Sequence, residues 1–128
     1  MPYISHSQHR SAAFAAQKSQ WVIPVAEEKK CYDIAANGGW AHDGCYWSLH
    51  LIGALPAQLG VSPIPDTFSL HIAKFVGEEG GDWHGYPVAP WLSPFDKPNT
   101  DVLIAWMNAG FIGRPTMAKI KRGKRCVL

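Results

Sequence analysis

The chain has 128 residues, of which 47% are hydrophobic and 17% are charged. This size and composition suit one domain spanning residues 1–128 and exclude general disorder. No apolar run is long enough to cross a membrane, and the first twenty residues lack the apolar core of a signal peptide. Three cysteines at no disulfide-framework spacing favour a reducing cytosol, although a bridge between Cys31 and Cys45 stays open. We therefore expect a cytoplasmic protein without a membrane partner.

The net charge of +2 conceals a division along the chain. All ten acidic residues precede Arg114, whereas six of the twelve Lys and Arg residues lie from Arg114 to Arg125. The tail therefore has a charge of +6 and the rest of the chain a charge of −4. Such asymmetry predicts a polyanionic partner, an acidic protein surface, or a tail that folds back on its own acidic body.

The first third of the chain predicts mixed secondary structure. Good helix formers indicate a short helix over residues 5–20, with fraying expected within residues 1–20. Residues 21–25 are β-prone but contain Pro24, which favours an edge strand. Residues 27–30 are all charged and predict a solvated turn. A short segment of either type follows, and Asn-Gly-Gly ends it in a tight turn.

The middle of the chain predicts two strands and a fixed loop. Cys45 to Ile52 alternates in a period of two, which favours a strand. Residues 53–60 predict a helical turn interrupted by Pro56. Residues 67–76 give the clearest alternation and predict a strand. Residues 80–91 combine glycines, prolines and three large aromatics, which is typical of a rigid functional loop.

The C-terminal part predicts a pair of helices. Asn99 or Thr100 caps the first, which runs to about Ala109, and Gly110 ends it. The second begins near Pro115 or Thr116 and ends at Gly123. The whole chain therefore predicts a small α+β fold: a mostly antiparallel sheet with peripheral helices and a C-terminal helical pair over residues 98–123 that carries the basic tail.

The sequence Ile112-Gly113-Arg114-Pro115-Thr116-Met117-Ala118-Lys119-Ile120-Lys121-Arg122-Gly123 resembles the recognition-helix half of repressor-type helix-turn-helix proteins. The resemblance covers only this tail. It implies that Met117 and Ile120 pack inward and that the polar side chains face a groove or phosphates. With the adjoining cations, the candidate nucleic-acid contacts are Arg114, Thr116, Lys119, Lys121, Arg122, Lys124 and Arg125. Clustered cations of this kind bind phosphate by releasing counterions.

A second candidate site lies around Cys45, which follows a glycine turn. A thiol becomes a nucleophile when a neighbouring histidine lowers its pKa. That histidine would be His84 or His71. The carboxylate that orients it would be Asp82 or Asp43.

Zinc is a further alternative, with Cys31, His42, Cys45 and His50 as the ligands. Their spacing matches no standard structural zinc site. Cys45 could equally pack as a small apolar residue beside Trp47. We predict no cofactor and no metal.

The aromatic loop is the third candidate. Trp83, Tyr86 and Trp91 could stack on bases or on a ligand ring, with His84 donating a hydrogen bond or a proton. They could equally fill the core, or present a surface to another protein. Asp82 could simply make a turn hydrogen bond.

Together these features favour a small cytosolic nucleic-acid-binding protein of bacterial or phage type, which uses the basic C-terminal helix and the aromatic loop. A small cysteine-dependent hydrolase or toxin-like enzyme using Cys45 and His84 is the first alternative. A protein-binding module without catalysis is the second.

Overall fold

The computed structural model describes residues 3–77 and 81–128. Within them it has the predicted α+β fold, with three α-helices and two antiparallel sheets. The helices are α1 (Val25–Gly38), α2 (Thr100–Asn108) and α3 (Arg114–Lys121). The strands are β1 (Gln20–Trp21), β2 (Ala41–His42), β3 (Cys45–Ile52), β4 (Leu55–Ala57), β5 (Gly60–Val61), β6 (Ser69–Leu70), β7 (Ile72–Gly77) and β8 (Trp83–Val88).

The larger sheet has the order β2-β3-β7-β8, and β4 pairs with β3 outside that path. β3 and β8 both run antiparallel to β7, so residues opposite one another form rows across the sheet. Cys45, Val76 and His84 form one such row. Side chains within a row lie on the same face. The smaller sheet has the order β1-β5-β6, with β1 at its edge. The edge strand predicted over residues 21–25 is confirmed only at Trp21, because α1 already begins at Val25.

The C-terminal helices pack on one face of the larger sheet. This face carries Trp47 and Leu49 of β3, which bury against α2 and α3. From the helices, Trp106 is fully buried and Ile120 is 1% exposed. The predicted helical pair is confirmed, and its position leaves the outer face of α3 to solvent.

Helix α1 packs on the opposite face of the sheet. Cys31 and Tyr32 of the helix contact the same buried cluster as Ala73 and Phe75 of β7. Gly39 caps the helix with a φ of 68°, as the Asn-Gly-Gly pattern predicted. The sheet is therefore covered by helices on both faces.

Two predictions for the first third of the chain are wrong. Residues 27–30 lie inside α1 rather than in a solvated turn, and Glu28 among them is fully buried. Its charge is satisfied by residues from the N-terminal segment, which the local sequence does not reveal. Residues 5–20 form two short 3-10 helices, Ser7–Arg10 and Ala12–Phe14, instead of one helix. The side chains of His6 and Ser11 cap these turns separately, which divides the segment.

Two predictions for the middle of the chain are also wrong. Residues 53–57 form the turn and second strand of a hairpin between β3 and β4, and Gly60 already belongs to β5. Gly53 turns with a φ of 65°, and Pro56 sits on a strand that pairs, among the described residues, only with β3. The predicted loop is mainly strand β8, at the edge of its sheet, where the missing N–H of Pro87 is tolerated. Gly80, at the start of that stretch, lies outside the described residues.

Candidate functional site

The tail cations form an exposed basic surface. All six are exposed, and Thr116 is half-buried. Among the described residues, none of the six makes an ion pair with a carboxylate. The charge of Lys97 lies next to these six, since its Nζ donates to the carbonyl of Lys121 at 3.0 Å. We call the following set the basic surface: Arg114, Lys119, Lys121, Arg122, Lys124 and Arg125.

Aromatic side chains border the basic surface at one point. The guanidinium carbon of Arg125 lies 4.4 Å from the ring centroid of Phe68. Phe68 in turn packs edge-on against Trp91, with 6.1 Å between ring centroids. Trp91 is therefore the residue of the predicted aromatic loop that reaches the tail. Phe68 was not predicted as part of the site, because its place beside the tail depends on the tertiary fold.

The other residues of the aromatic loop are divided between the two faces of β8. Trp83 packs against Tyr32 and Tyr46, with ring centroids 5.8 and 5.1 Å away. His84 and Tyr86 lie in the rows of Cys45 and Trp47, on the other side of the sheet from α1. Asp82 is half-buried immediately before the strand.

The structure does not place Cys45 beside a histidine base of β8. Val76 separates Cys45 from His84, so two strand spacings put their backbones roughly 10 Å apart. The alternative base, His71, is buried beside Trp91 and Cys126. Asp43 is exposed and lies 3.4 Å from His42.

The four possible zinc ligands do not converge on one point, although Cys31 and His50 line the same cavity. Cys31 lies on α1 and packs into the cluster between this helix and the sheet, where burial raises the pKa of its thiol to about 12. Cys45 packs against the cluster on the opposite side. No group of three or more His, Cys, Asp or Glu residues in the described chain could hold a metal ion.

A cluster of histidines lies where the N-terminal segment crosses β8. The ring centroid of His6 is 5.8 Å from that of His9 and 5.5 Å from that of His84. His9 stacks on Tyr86 at 5.2 Å and 17°. His6 and His9 were not predicted as site residues. Two histidines three residues apart are the signal in the sequence. That signal could not locate a site, because the histidines reach β8 only through the pairing of Tyr3 with Trp83.

Burial shapes the electrostatics beside these histidines. It lowers the pKa of His9, an effect to which the nearby charges of His6 and Lys18 add. Burial and the carboxylate of Asp96 raise the pKa of Tyr86 to about 12. Burial also raises the pKa of Asp96, which Lys74, 3.9 Å away, partly opposes. Perturbed groups that line one cleft are typical of functional sites.

Glu28 holds the N-terminal segment in place. Its carboxylate accepts hydrogen bonds from Ser5 at 2.9 Å and from Tyr3, and it lies 2.7 Å from the Arg10 guanidinium. Burial, followed by the hydrogen bond to Glu28, raises the pKa of Tyr3 well above its ordinary value. Because Tyr3 and Arg10 bracket the two histidines, Glu28 fixes the histidine cluster over β8.

Comparison of the chain with protein-family models, with curated proteins and with solved structures gave no match. In the part of the chain that the structure describes, no helix is both long and apolar enough to cross a bilayer. Function must therefore be argued from the sites themselves.

Proposed function

We propose that the protein binds nucleic acid through the basic surface. The observation that supports this proposal is that six exposed cations lie without a carboxylate partner among the described residues. The rest of the chain contains ten Asp and Glu residues. The tail cations form no ion pair with any of those that the structure describes. Unpaired cations on one surface bind phosphates and release condensed counterions.

The geometry of α3 favours contact with the phosphate backbone. Trp106 and Ile120 hold both C-terminal helices against the sheet, so α3 offers only its outer face. Arg114, Lys121 and Arg122 lie on that face. A helix-turn-helix protein inserts its second helix into a DNA groove, so the two-turn face of α3 would have to enter one. Contact with phosphates needs no insertion, and we favour this mode of binding.

The aromatic pair beside the tail favours single-stranded nucleic acid. Phe68 and Trp91 are half-buried, so each ring is held in place while part of it remains accessible. Arg125 lies over Phe68 and would bring a phosphate within reach of both rings. Bases of a single strand stack on such rings, whereas bases within a duplex do not offer their faces.

Two matched charge reversals test this proposal. The variant K121E/R122E changes the basic surface, and K29E/K30E makes the same change in net charge on α1. We expect K121E/R122E to weaken binding to a labelled single strand by at least about tenfold, because it removes and reverses two phosphate contacts. We expect K29E/K30E to change binding by less than about twofold, since those lysines lie outside the surface. Equal effects of the two variants would contradict the proposal.

A further inference from the structure

One end of the sheet face that carries α2 and α3 remains open as a cleft. A cavity of about 240 Å³ is lined by His6, His9, Lys18, His84 and Tyr86, among others. A second cavity, of about 450 Å³, shares His9, Lys18 and Tyr86 with the first. The two cavities therefore adjoin along the stacked pair of His9 and Tyr86. We call this combined space the histidine cleft.

Backbone hydrogen bonds fix complementary tautomers on two of its rings. The Nδ1–H of His9 donates to the carbonyl of Ser19 at 2.8 Å, so the neutral ring has its lone pair on Nε2. The Nδ1 of His6 instead accepts from the backbone N–H of Gln8 at 3.4 Å, so the neutral ring has its hydrogen on Nε2. His9 thus offers a proton acceptor, and His6 beside it offers a hydrogen-bond donor.

The third ring, His84, also hydrogen-bonds to a backbone carbonyl. Its Nδ1–H donates to the carbonyl of Ile4 at 3.2 Å. His6 contacts both other rings, so three imidazoles lie around one small space.

Phosphate is the ligand chemistry that these groups suit. Lys18 lines both cavities, and imidazoles donate hydrogen bonds to phosphate oxygens. Apolar side chains stand exposed near the cleft: Leu92, which lines the larger cavity, is 62% exposed. Phe95 is 82% exposed, and its neighbour Asp96 lines that cavity. An exposed ring beside a phosphate site suits a stacked base.

We infer that the histidine cleft cleaves single-stranded RNA, an activity that rests on the proposed nucleic-acid binding. His9 Nε2 takes the proton from a ribose 2′-hydroxyl, and the 2′-oxygen attacks the adjacent phosphorus. The bond from phosphorus to the 5′-oxygen breaks, and that oxygen takes a proton from the His84 imidazolium. His6 donates its Nε2–H to a phosphate oxygen. The products are a 2′,3′-cyclic phosphate and a 5′-hydroxyl, so the step needs no further reactant.

The electrostatic environment of His9 agrees with its role as the base. Burial, reinforced by the charges of His6 and Lys18, lowers the pKa of His9. A lowered pKa favours the neutral ring, which a general base requires.

The test uses the full chain, in EDTA, with one labelled sequence made as RNA, as DNA and as 2′-O-methyl RNA. We expect cleavage of the RNA alone, with ends that carry a cyclic phosphate, because the other two strands lack the attacking hydroxyl. H9Q and H84Q should each slow cleavage by at least about 100-fold. H42Q, which changes a partly exposed histidine outside the cleft, should cleave at the unchanged rate.

Intact RNA, or H9Q and H84Q as active as H42Q, would overturn the inference. Thermal unfolding shows whether each variant is folded. If H9Q does not fold, the cleavage rate of H84Q alone tests the inference. Binding of the 2′-O-methyl strand separates the two proposals. Binding without RNA cleavage overturns only the cleft's activity, whereas no binding at low salt overturns the proposed function.

Discussion

The guanidinium of Arg10 lies 2.7 Å from the carboxylate of Glu28, whose side chain is fully buried. This ion pair joins the N-terminal segment to α1. Tyr3 and Ser5 donate to the same carboxylate, so three residues of the segment converge on one buried charge. The segment thereby gains a fixed path across β8, and the histidine cleft depends on that path.

Replacing Glu28 with glutamine should destabilise the fold strongly. The substitution keeps the shape of the side chain but leaves Arg10 without its countercharge in a buried setting. Breaking a buried pair in this way costs roughly 3–5 kcal/mol in the free energy of unfolding. Urea unfolding measures the loss.

The control for this substitution is Glu27→Gln on the same helix. Glu27 pairs with Lys30 at 3.5 Å near the surface, where such a pair contributes less than about 1 kcal/mol. Equal stability of the two variants would show that Glu28 does not anchor the segment.

Replacing Gly85 with alanine should also destabilise the fold. A Cβ at this position would lie 2.3 Å from ring carbons of Phe75, which is fully buried and cannot move aside. Overpacking of this kind costs roughly 1–3 kcal/mol. Gly81→Ala is the matched control, because a Cβ there has no neighbour within 4 Å among the described residues. Thermal unfolding should separate the two variants, and similar melting temperatures would contradict the packing described for β8.

Stability should fall as the pH is lowered from about 7 toward 5. Burial lowers the pKa of both His9 and His71 below the ordinary value of 6.5. In this range the unfolded chain therefore binds more protons than the folded chain, and acidification favours unfolding. Asp96, whose pKa is raised by burial, acts in the opposite direction between its ordinary value of 3.8 and its raised value.

Urea unfolding at several pH values measures this dependence. The variant H9Q should show a smaller loss between pH 7 and 5 than the wild type. A loss unchanged in H9Q would show that His9 titrates alike in the folded and unfolded chains.

Local patterns in the sequence predicted much of the fold. The alternation from Cys45 to Ile52 predicted β3, because a strand with a buried face keeps a period of two. The cap at Asn99 and the turn at Gly110, which has a φ of 83°, predicted α2 because helix ends need these backbone conformations. Each of these signals lies within a few residues of the element that it specifies.

The histidine cleft could not be predicted in the same way. Burial of Glu28 depends on Arg10 and Tyr3, which are distant in sequence, so its charge alone indicated a solvated turn. His6 meets His84 only because the N-terminal segment pairs with β8. Contacts of this kind belong to the tertiary fold and leave no periodic pattern in the chain. The basic surface was predicted, because a run of cations is itself a local pattern.

The affinity of the purified protein for a labelled single strand, measured at about 50 and 200 mM salt, tests the central claim most directly. If the basic surface contacts phosphates, the affinity should fall by at least about tenfold, and by about 300-fold if all six cations take part. Binding that is absent at the lower salt concentration, or that is equal at both, would contradict the assignment of the basic surface to nucleic acid.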